Sequence, residues 1–310
     1  MTNSSQARPH PVRGYLYIAA AAFLWGLSAS LGKAVFTRKL GPGAQSPLDP
    51  LILAQTRTTL SWLALAPALL LFRGRAALRI SRKDLGRTLL LGTLGIAASN
   101  YFYYLAIEKT TIATAIVLQY TAPAWVLLYM LARRHQHPTL RRVTAVLMAV
   151  AGSALAIGVF SQGRIKLNGV GIAAALAAAF SFSFYNVYGH SLLETHERWK
   201  VITHTLMGAA LFWMVVNPPW KIVAAHYSGE QWLFLAVFAL LSMLLPFSFY
   251  FAGLQYLDAT RAIVTSCLEP VFAILIAAAF LSEGLGPLQV VGVVVVLTAS
   301  VVVQLPEKSS

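Results

Sequence analysis

Long apolar runs alternate with short polar segments along almost the whole chain. Each run is about 20 residues long, which is enough for a helix to cross the hydrocarbon core of a bilayer. Helix is the expected conformation because an open strand leaves its backbone groups unpaired in lipid. We therefore predict ten transmembrane helices, at residues 14–36, 50–72, 84–107, 111–131, 139–160, 168–190, 200–217, 230–254, 260–281 and 287–305.

The second half of the chain repeats the first at a constant offset. Pro270 follows Pro123 by 147 positions, and Ala262-Ile-Val264 follows Ala115-Ile-Val117 by the same distance. Five spans in each half, an odd number, place the second half upside down relative to the first. The sequence thus predicts an all-α integral membrane protein with a cytoplasmic N-terminal tail (1–13), a first five-helix repeat (14–160) and an inverted second repeat (168–305).

Composition and charge support a membrane protein. The chain of 310 residues is 58% hydrophobic and 11% charged, whereas about 25% is charged in a typical soluble domain. Of its 24 Lys and Arg residues, 16 lie on the side of the N-terminus, seven on the other side and Arg57 within a span. The positive-inside rule then places both termini in the cytoplasm.

Two roles could account for the net charge of +14: binding of nucleic acid, or membrane topology together with attraction to lipid. No aromatic–basic motif accompanies it, so we do not expect nucleic-acid binding. The basic loops instead set the topology and attract anionic lipid. Cys267 is the single cysteine, so no disulfide can form within one chain.

Prolines interrupt several of the predicted spans. Pro123 and Pro270 occupy equivalent places in spans four and nine, and Pro246 lies in span eight. Each removes a backbone hydrogen bond and loosens or bends its helix. We predict that these three prolines act as hinges, although proline can also simply shape a membrane helix.

Ionisable residues within the spans are candidates for a site. Glu269, about ten residues into span nine, is the deepest acid and could meet a cation, carry a proton or cap a neighbouring backbone group. Arg57 and His204 are equivalents in spans two and seven. We expect Arg57 to extend to the interface and His204 to be a packing residue.

Aromatic and amide side chains are dense in the same spans. Such groups suit a cavity for a flat apolar or zwitterionic solute, and aromatic faces also attract ammonium groups. Together with Glu269, the predicted substrate-binding residues are Trp25, Asn100, Tyr101, Tyr104, Gln119, Tyr120, Tyr185, Asn186, Phe251 and Gln255.

Motifs for catalysis are absent from the sequence. It contains no Walker A loop, no His-Glu-x-x-His zinc motif and no Gly-x-Ser-x-Gly nucleophile elbow. We therefore predict no enzyme activity, no catalytic residues, no cofactor and no metal site.

The order of several short motifs resembles the drug/metabolite transporter superfamily, in particular its ten-helix EamA-type exporters. These motifs are Trp25-Gly26, Arg57, Glu269-Pro270 and Phe280-Leu-Ser-Glu283-Gly. Within that family the chain looks most similar to bacterial exporters of aromatic amino acids and of the dication paraquat. The resemblance implies a central cavity lined by spans one, three, four, six, eight and nine, with alternating access between the halves.

Two functions remain open at this point. The first is export of aromatic or hydrophobic amino acids across the bacterial inner membrane by a multi-pass carrier. The second is multidrug export of flat organic cations such as paraquat, with Glu269 as the charge partner. In either case the partners are a small-molecule substrate and membrane lipid; a monomer is compatible with the sequence, which leaves the oligomeric state open.

Overall fold

The computed structural model describes residues 11–36, 48–158, 168–281 and 284–305, and within these ranges all regular structure is helical. Most of the predicted tail, the join between the halves up to residue 167, and Glu283 lie outside the described residues. The α-helices are α1 (Pro11–Phe36), α2 (Pro50–Arg73), α3 (Arg82–Leu90), α4 (Ala98–Lys109), α5 (Ile112–Gln119), α6 (Ala122–Ala132), α7 (Leu140–Ala156), α8 (Gly169–Leu193), α9 (Arg198–Val216), α10 (Pro219–Ala224), α11 (Gly229–Ala239), α12 (Leu245–Leu254), α13 (Ala259–Ser266), α14 (Leu268–Leu281) and α15 (Pro287–Gln304).

Eight stretches of the described chain are long and apolar enough to cross a membrane, and they coincide with eight of the ten predicted spans. The other two predicted spans are also helical, as α2 and α7. Helix α7 has only 17 residues. Helix α2 carries a polar run from Gln55 to Thr59. The eight stretches are Pro11–Gly32, Arg82–Lys109, Thr114–Ala132, Gly169–Leu193, Arg198–Val216, Gly229–Leu254, Ala259–Phe280 and Pro287–Gln304.

Short polar caps begin several of these helices. The Asp49 side chain accepts a hydrogen bond from the Leu51 N–H at 2.7 Å, and Pro50 occupies the first position of α2, where no N–H donor is needed. The Asp258 carboxylate accepts from the Arg261 N–H at 2.9 Å at the start of α13. These caps satisfy backbone donors at the helix starts, so short loops can lead directly into membrane helices.

Spans four and nine are each broken in the middle. Helix α5 ends at Gln119 and α6 begins at Ala122, while α13 ends at Ser266 and α14 begins at Leu268. The two ends, Gln119 and Ser266, lie 147 positions apart, as the prolines do. Pro123 and Pro270 therefore occupy the first turns of new helices, where a missing N–H costs no intrahelical bond.

Spans three and eight contain wide, π-helical turns instead of breaks. These turns are Leu91–Ala97, between α3 and α4, and Leu240–Leu244, between α11 and α12. Pro246 follows the second wide turn at the second position of α12. Wide turns of this kind are rare and are frequent at functional sites.

The first wide turn packs directly on α9. A Cβ atom built on Gly92 would lie 1.9 Å from the carbonyl oxygen of Thr205 and 2.8 Å from the backbone nitrogen of Ala209. Only glycine fits this contact, because any side chain would overlap the backbone of α9. Close approach through small residues is typical of helix pairs in membranes.

Polar contacts join the two halves at one end of the bundle, which we call the polar end. Most of the side chains involved are partly exposed, and surface ion pairs of this kind contribute only about 0–1 kcal/mol each. The polar end is therefore held by several weak contacts that can separate together. The contacts are the Arg73–Glu197 ion pair, His196 Nε2 to Asp84 Oδ2 at 3.2 Å, Arg87 Nε to the Tyr188 hydroxyl at 3.2 Å, and the Thr260 hydroxyl to Gln136 Oε1 at 2.9 Å.

Candidate functional site

Six aromatic rings from α1, α8 and α12 meet in the middle of the bundle. The Trp25 ring lies 5.3 Å from those of Phe247 and Tyr250 and 6.4 Å from that of Phe182, measured between centroids. Aromatic pairs at such distances contribute about 0.5–1.5 kcal/mol beyond burial of their area. We call this set the aromatic cluster, and its members are Trp25, Phe182, Tyr185, Phe247, Tyr250 and Phe251.

The predicted binding residues in this cluster differ in accessibility. Tyr185 and Phe251 are completely buried, as is their neighbour Asn186. Trp25 and Phe182 are half-buried. The buried members therefore form the core of the cluster, and the half-buried ones lie at its accessible edge.

A buried hydrogen bond from Tyr250, a member of the aromatic cluster, joins α12 to α8. The Tyr250 hydroxyl donates to Asn186 Oδ1, and Asn186 Nδ2 donates to the carbonyl oxygen of Phe182 at 2.9 Å. Both Tyr250 and Asn186 are fully buried. The amide is thereby held in one orientation, since each of its ends has a partner.

Tyr250→Phe is expected to lower the free energy of unfolding by about 1–3 kcal/mol, because it leaves the buried Asn186 oxygen without its donor. Thermal unfolding in detergent would measure the loss. Tyr129→Phe, at a 44% exposed position, is the matched control and should have little effect. The double variant Tyr250→Phe/Asn186→Leu should recover part of the loss, because it removes the stranded acceptor as well.

A second group, which we call the charged group, contains one basic and one acidic side chain. Arg57 Nη2 donates to Asn100 Oδ1, and Asn100 Nδ2 donates to the Ile96 carbonyl oxygen at 2.8 Å. The Tyr120 hydroxyl is hydrogen-bonded to the Glu269 carboxyl group, which also lies within electrostatic range of Arg57. Opposite charges from the two halves thus lie close together inside the bundle.

Arg57 does not behave as the sequence predicted. Its guanidinium bonds to Asn100 on α4 instead of extending to the membrane interface. The interior amide offers a fixed acceptor, which outweighs the gain from reaching the headgroups. The signal that pointed to this role was the rarity of arginine within a span, a feature that usually marks a site.

His204, the equivalent of Arg57 in the second half, has a different environment. Its side chain is 8% exposed, and Nδ1 lies 2.7 Å from the carbonyl oxygen of Lys200 in the preceding turn of α9. This local bond satisfies the ring within its own helix. His204 is therefore a packing residue, as the sequence predicted.

One glycine contact connects the aromatic cluster to the charged group. Gly26 follows Trp25 on α1, and a Cβ atom built on it would lie 2.9 Å from the carbonyl oxygen of Glu269 and 2.8 Å from the Ala273 nitrogen. The absence of a side chain lets α1 lie directly on α14. Trp25 is thereby brought next to the helix turn that carries Glu269.

The remaining predicted binding residues fall into two groups. Tyr101 and Tyr104 are half-buried and pack against the same core as Tyr185, and the half-buried Gln119 reaches the Ser99 hydroxyl at 3.5 Å. Gln255 is exposed in the turn after α12. Gln255 is therefore not part of this assembly, because α12 ends at Leu254, before the chain reaches it. The predicted binding residues do not include Tyr103, although it belongs to the same dense set of aromatic and amide side chains. Its ring lies 5.8 Å from that of Tyr104 and within electrostatic range of Arg57 and Glu269.

A cavity of about 400 Å³ in the described part of the chain lies elsewhere, near the start of α2 and α10. Its lining residues include Asp49, Asn217 and Lys221. None of the six members of the aromatic cluster is among the residues that line this cavity.

Comparison with known proteins places these features in a family. The model of the EamA-like transporter family matches the chain twice, over residues 12–158 and 169–305. An uncharacterised inner membrane transporter, YicL of Salmonella typhimurium, is 23% identical over 299 residues, covering 96% of each chain. The threonine/homoserine exporter RhtA of Escherichia coli K12 is 26% identical over 292 residues, covering 92% of this chain and 88% of RhtA.

A solved crystal structure has the same fold. It superimposes with a TM-score of 0.75 at 19% sequence identity, covering 94% of this chain and 97% of the other. Together with the apolar helices described above, these comparisons identify a multi-pass membrane transporter of the drug/metabolite transporter superfamily. The chain belongs to the EamA-like transporter family.

Proposed function

We propose that this protein exports amino acids with aromatic or hydrophobic side chains from the bacterial cytoplasm across the inner membrane. One observation carries the proposal: two opposite charges, Arg57 and Glu269, lie within electrostatic range of each other and near half-buried aromatic rings. An amino acid carries both charges and an uncharged side chain, so it matches both parts of the assembly. The name of the relative RhtA, an exporter of threonine and homoserine, supports amino acids as the substrate class.

The proposed architecture is ten spans in two inverted five-helix halves. It is supported by the double match of the family model and by helix breaks 147 positions apart in spans four and nine. The excess of Lys and Arg on the side of the N-terminus supports a cytoplasmic location for the polar end. Opening and closing of that end, with Pro123, Pro246 and Pro270 as hinges, exposes the centre to each side in turn.

Export of a flat dication is the weaker candidate. Glu269 could attract such a cation, but the Arg57 guanidinium lies within electrostatic range of the same carboxyl group. A second positive charge in the site would repel a dication while complementing a carboxylate. The charged group therefore favours a zwitterion.

Uptake into liposomes that contain only this protein tests the proposal. We expect saturable flux of radiolabelled phenylalanine or tryptophan above that of empty liposomes, measured with and without a pH gradient. Tyr101→Ala or Tyr104→Ala should lower the flux while the protein still inserts. Flux of paraquat without flux of amino acids would support the cation exporter, and flux of threonine alone would assign a smaller substrate.

A further inference from the structure

The charged group has the form of a clamp for the two charges of an amino acid. We propose that Arg57, held by Asn100, binds the substrate α-carboxylate and that Glu269, held by Tyr120, binds the α-ammonium group. This inference rests on the proposed function and goes further, because it assigns each end of the substrate to a named side chain from a different half.

Arg57 has N–H donors that no acceptor in the described structure uses. A guanidinium group carries five N–H donors, and the described structure gives it one acceptor, Asn100 Oδ1. Its Nε atom is buried and has no hydrogen-bond partner in the described part of the chain. A buried donor without a partner destabilises the protein. A planar carboxylate would remove this destabilisation, since it accepts two parallel bonds from a guanidinium.

Asn100 determines the direction of the guanidinium. Its Nδ2 donates to the carbonyl oxygen of Ile96 at 2.8 Å, so its oxygen is turned toward Arg57. The amide can only accept at that oxygen and cannot neutralise the positive charge. Asn100 is thus a positioning residue that leaves the charge of Arg57 available to a ligand.

Glu269 has unused hydrogen-bond acceptor sites, as Arg57 has unused donors. Its carboxyl group receives the Tyr120 hydroxyl, but a carboxylate offers about four lone-pair sites. Within the described residues, no oppositely charged group lies within 4.0 Å of the Glu269 carboxylate or of the Arg57 guanidinium. The two charges attract each other but do not touch.

Because the two charges lie near each other without touching, a zwitterion can bridge them. Each charge-assisted hydrogen bond spans about 2.7–2.9 Å, and the ammonium and carboxylate of an α-amino acid are joined through one carbon atom. A ligand with both groups satisfies both side chains. A simple amine or a simple acid satisfies one and leaves the other buried charge without a partner, so the site should reject both.

The test uses purified protein in detergent and competition against a radiolabelled amino acid that the liposome assay shows to be transported. The competitors are its methyl ester, which lacks the carboxylate, and its N-acetyl derivative, which lacks the ammonium group. For the wild-type protein we expect both to compete roughly tenfold to hundredfold less well than the parent amino acid.

Variants of Arg57 and of Glu269 should show which side chain binds the carboxylate of the amino acid and which binds its ammonium group. Arg57→Gln should weaken binding of the parent and remove the preference over the methyl ester, while it keeps the preference over the N-acetyl derivative. Glu269→Gln should show the opposite pattern. His204→Gln, at the repeat equivalent of Arg57, is the matched control and should keep both preferences.

The outcomes distinguish this clamp from the proposed function. Absence of amino acid flux in the wild-type protein would contradict the proposed function itself. Flux of amino acids combined with equally good competition by the ester or the N-acetyl derivative would overturn the clamp alone. Size-exclusion chromatography shows whether each variant is folded; if Arg57→Gln is not, Arg57→Lys and the wild-type competition still decide.

Discussion

Gly92→Ala is expected to disrupt packing between the first wide turn and α9. The new methyl group would lie 1.9 Å from the Thr205 carbonyl oxygen, so the backbone of one element has to move. Overpacking of this kind typically costs about 1–3 kcal/mol and occasionally more, and the rigid backbone of α9 puts this variant at the upper end. Thermal unfolding in detergent and the yield of monodisperse protein measure the effect.

Gly86→Ala is the matched control for this substitution. Gly86 lies in α3, six positions earlier, and a Cβ atom there has no heavy atom within 4 Å. Alanine is favoured over glycine inside a helix by about 1 kcal/mol. This variant should therefore be as stable as the wild-type protein or slightly more stable. Equal stability of the Gly92 and Gly86 variants would contradict the described contact.

Cross-linking the two halves at the polar end is expected to stop transport. The side chains of Asp84 and His196, from different halves, lie 3.2 Å apart. Cysteines at both positions can be joined by a short, reducible bifunctional reagent, which would hold that end closed. Flux should fall to the level of empty liposomes and return after reduction, since the proposed alternating access requires this end to open.

A cross-link within one half provides the comparison. Ser81 and Asp84 are both at the start of α3, with Ser81 Oγ 2.6 Å from Asp84 Oδ2. The native Cys267 is buried, at 1% exposed, and should not react. Joining cysteines at positions 81 and 84 should leave the flux unchanged. Undiminished flux with the 84–196 link complete would contradict opening at the polar end.

The positions of the helices could be predicted well from the apolar pattern. The sixth span was expected at 168–190 and is found at Gly169–Leu193, and the tenth was expected at 287–305 and is found at Pro287–Gln304. The accuracy has a simple cause: the thickness of the bilayer fixes the length of each run, and polar loops fix its ends. Breaks within a span are harder to predict, because the helix that follows each break, Ala122–Ala132 or Leu268–Leu281, is again largely apolar and the span reads as one run.

The candidate site could be predicted only in part. Residue type identified Glu269, Tyr120 and Asn100 as unusual inside a membrane. In the structure Asn100 is hydrogen-bonded to Arg57, and Tyr120 to Glu269. The direction in which each side chain points could not be inferred from its residue type. Whether a side chain such as Arg57 turns inward or toward the headgroups depends on an acceptor supplied by another helix. Burial of Tyr185 within the aromatic cluster likewise depends on three packed helices.

The wide turn Leu91–Ala97 has a consequence for comparing related carriers. It accommodates an extra residue, and each residue of an α-helix advances the side chains by about 100° around the axis. Without the wide turn an extra residue would rotate everything that follows, and Asn100 would no longer face Arg57; the wide turn absorbs the residue and keeps Asn100 in place. Relatives that differ by a single insertion at this point can thus keep the same residues facing Arg57, although their numbering is shifted by one.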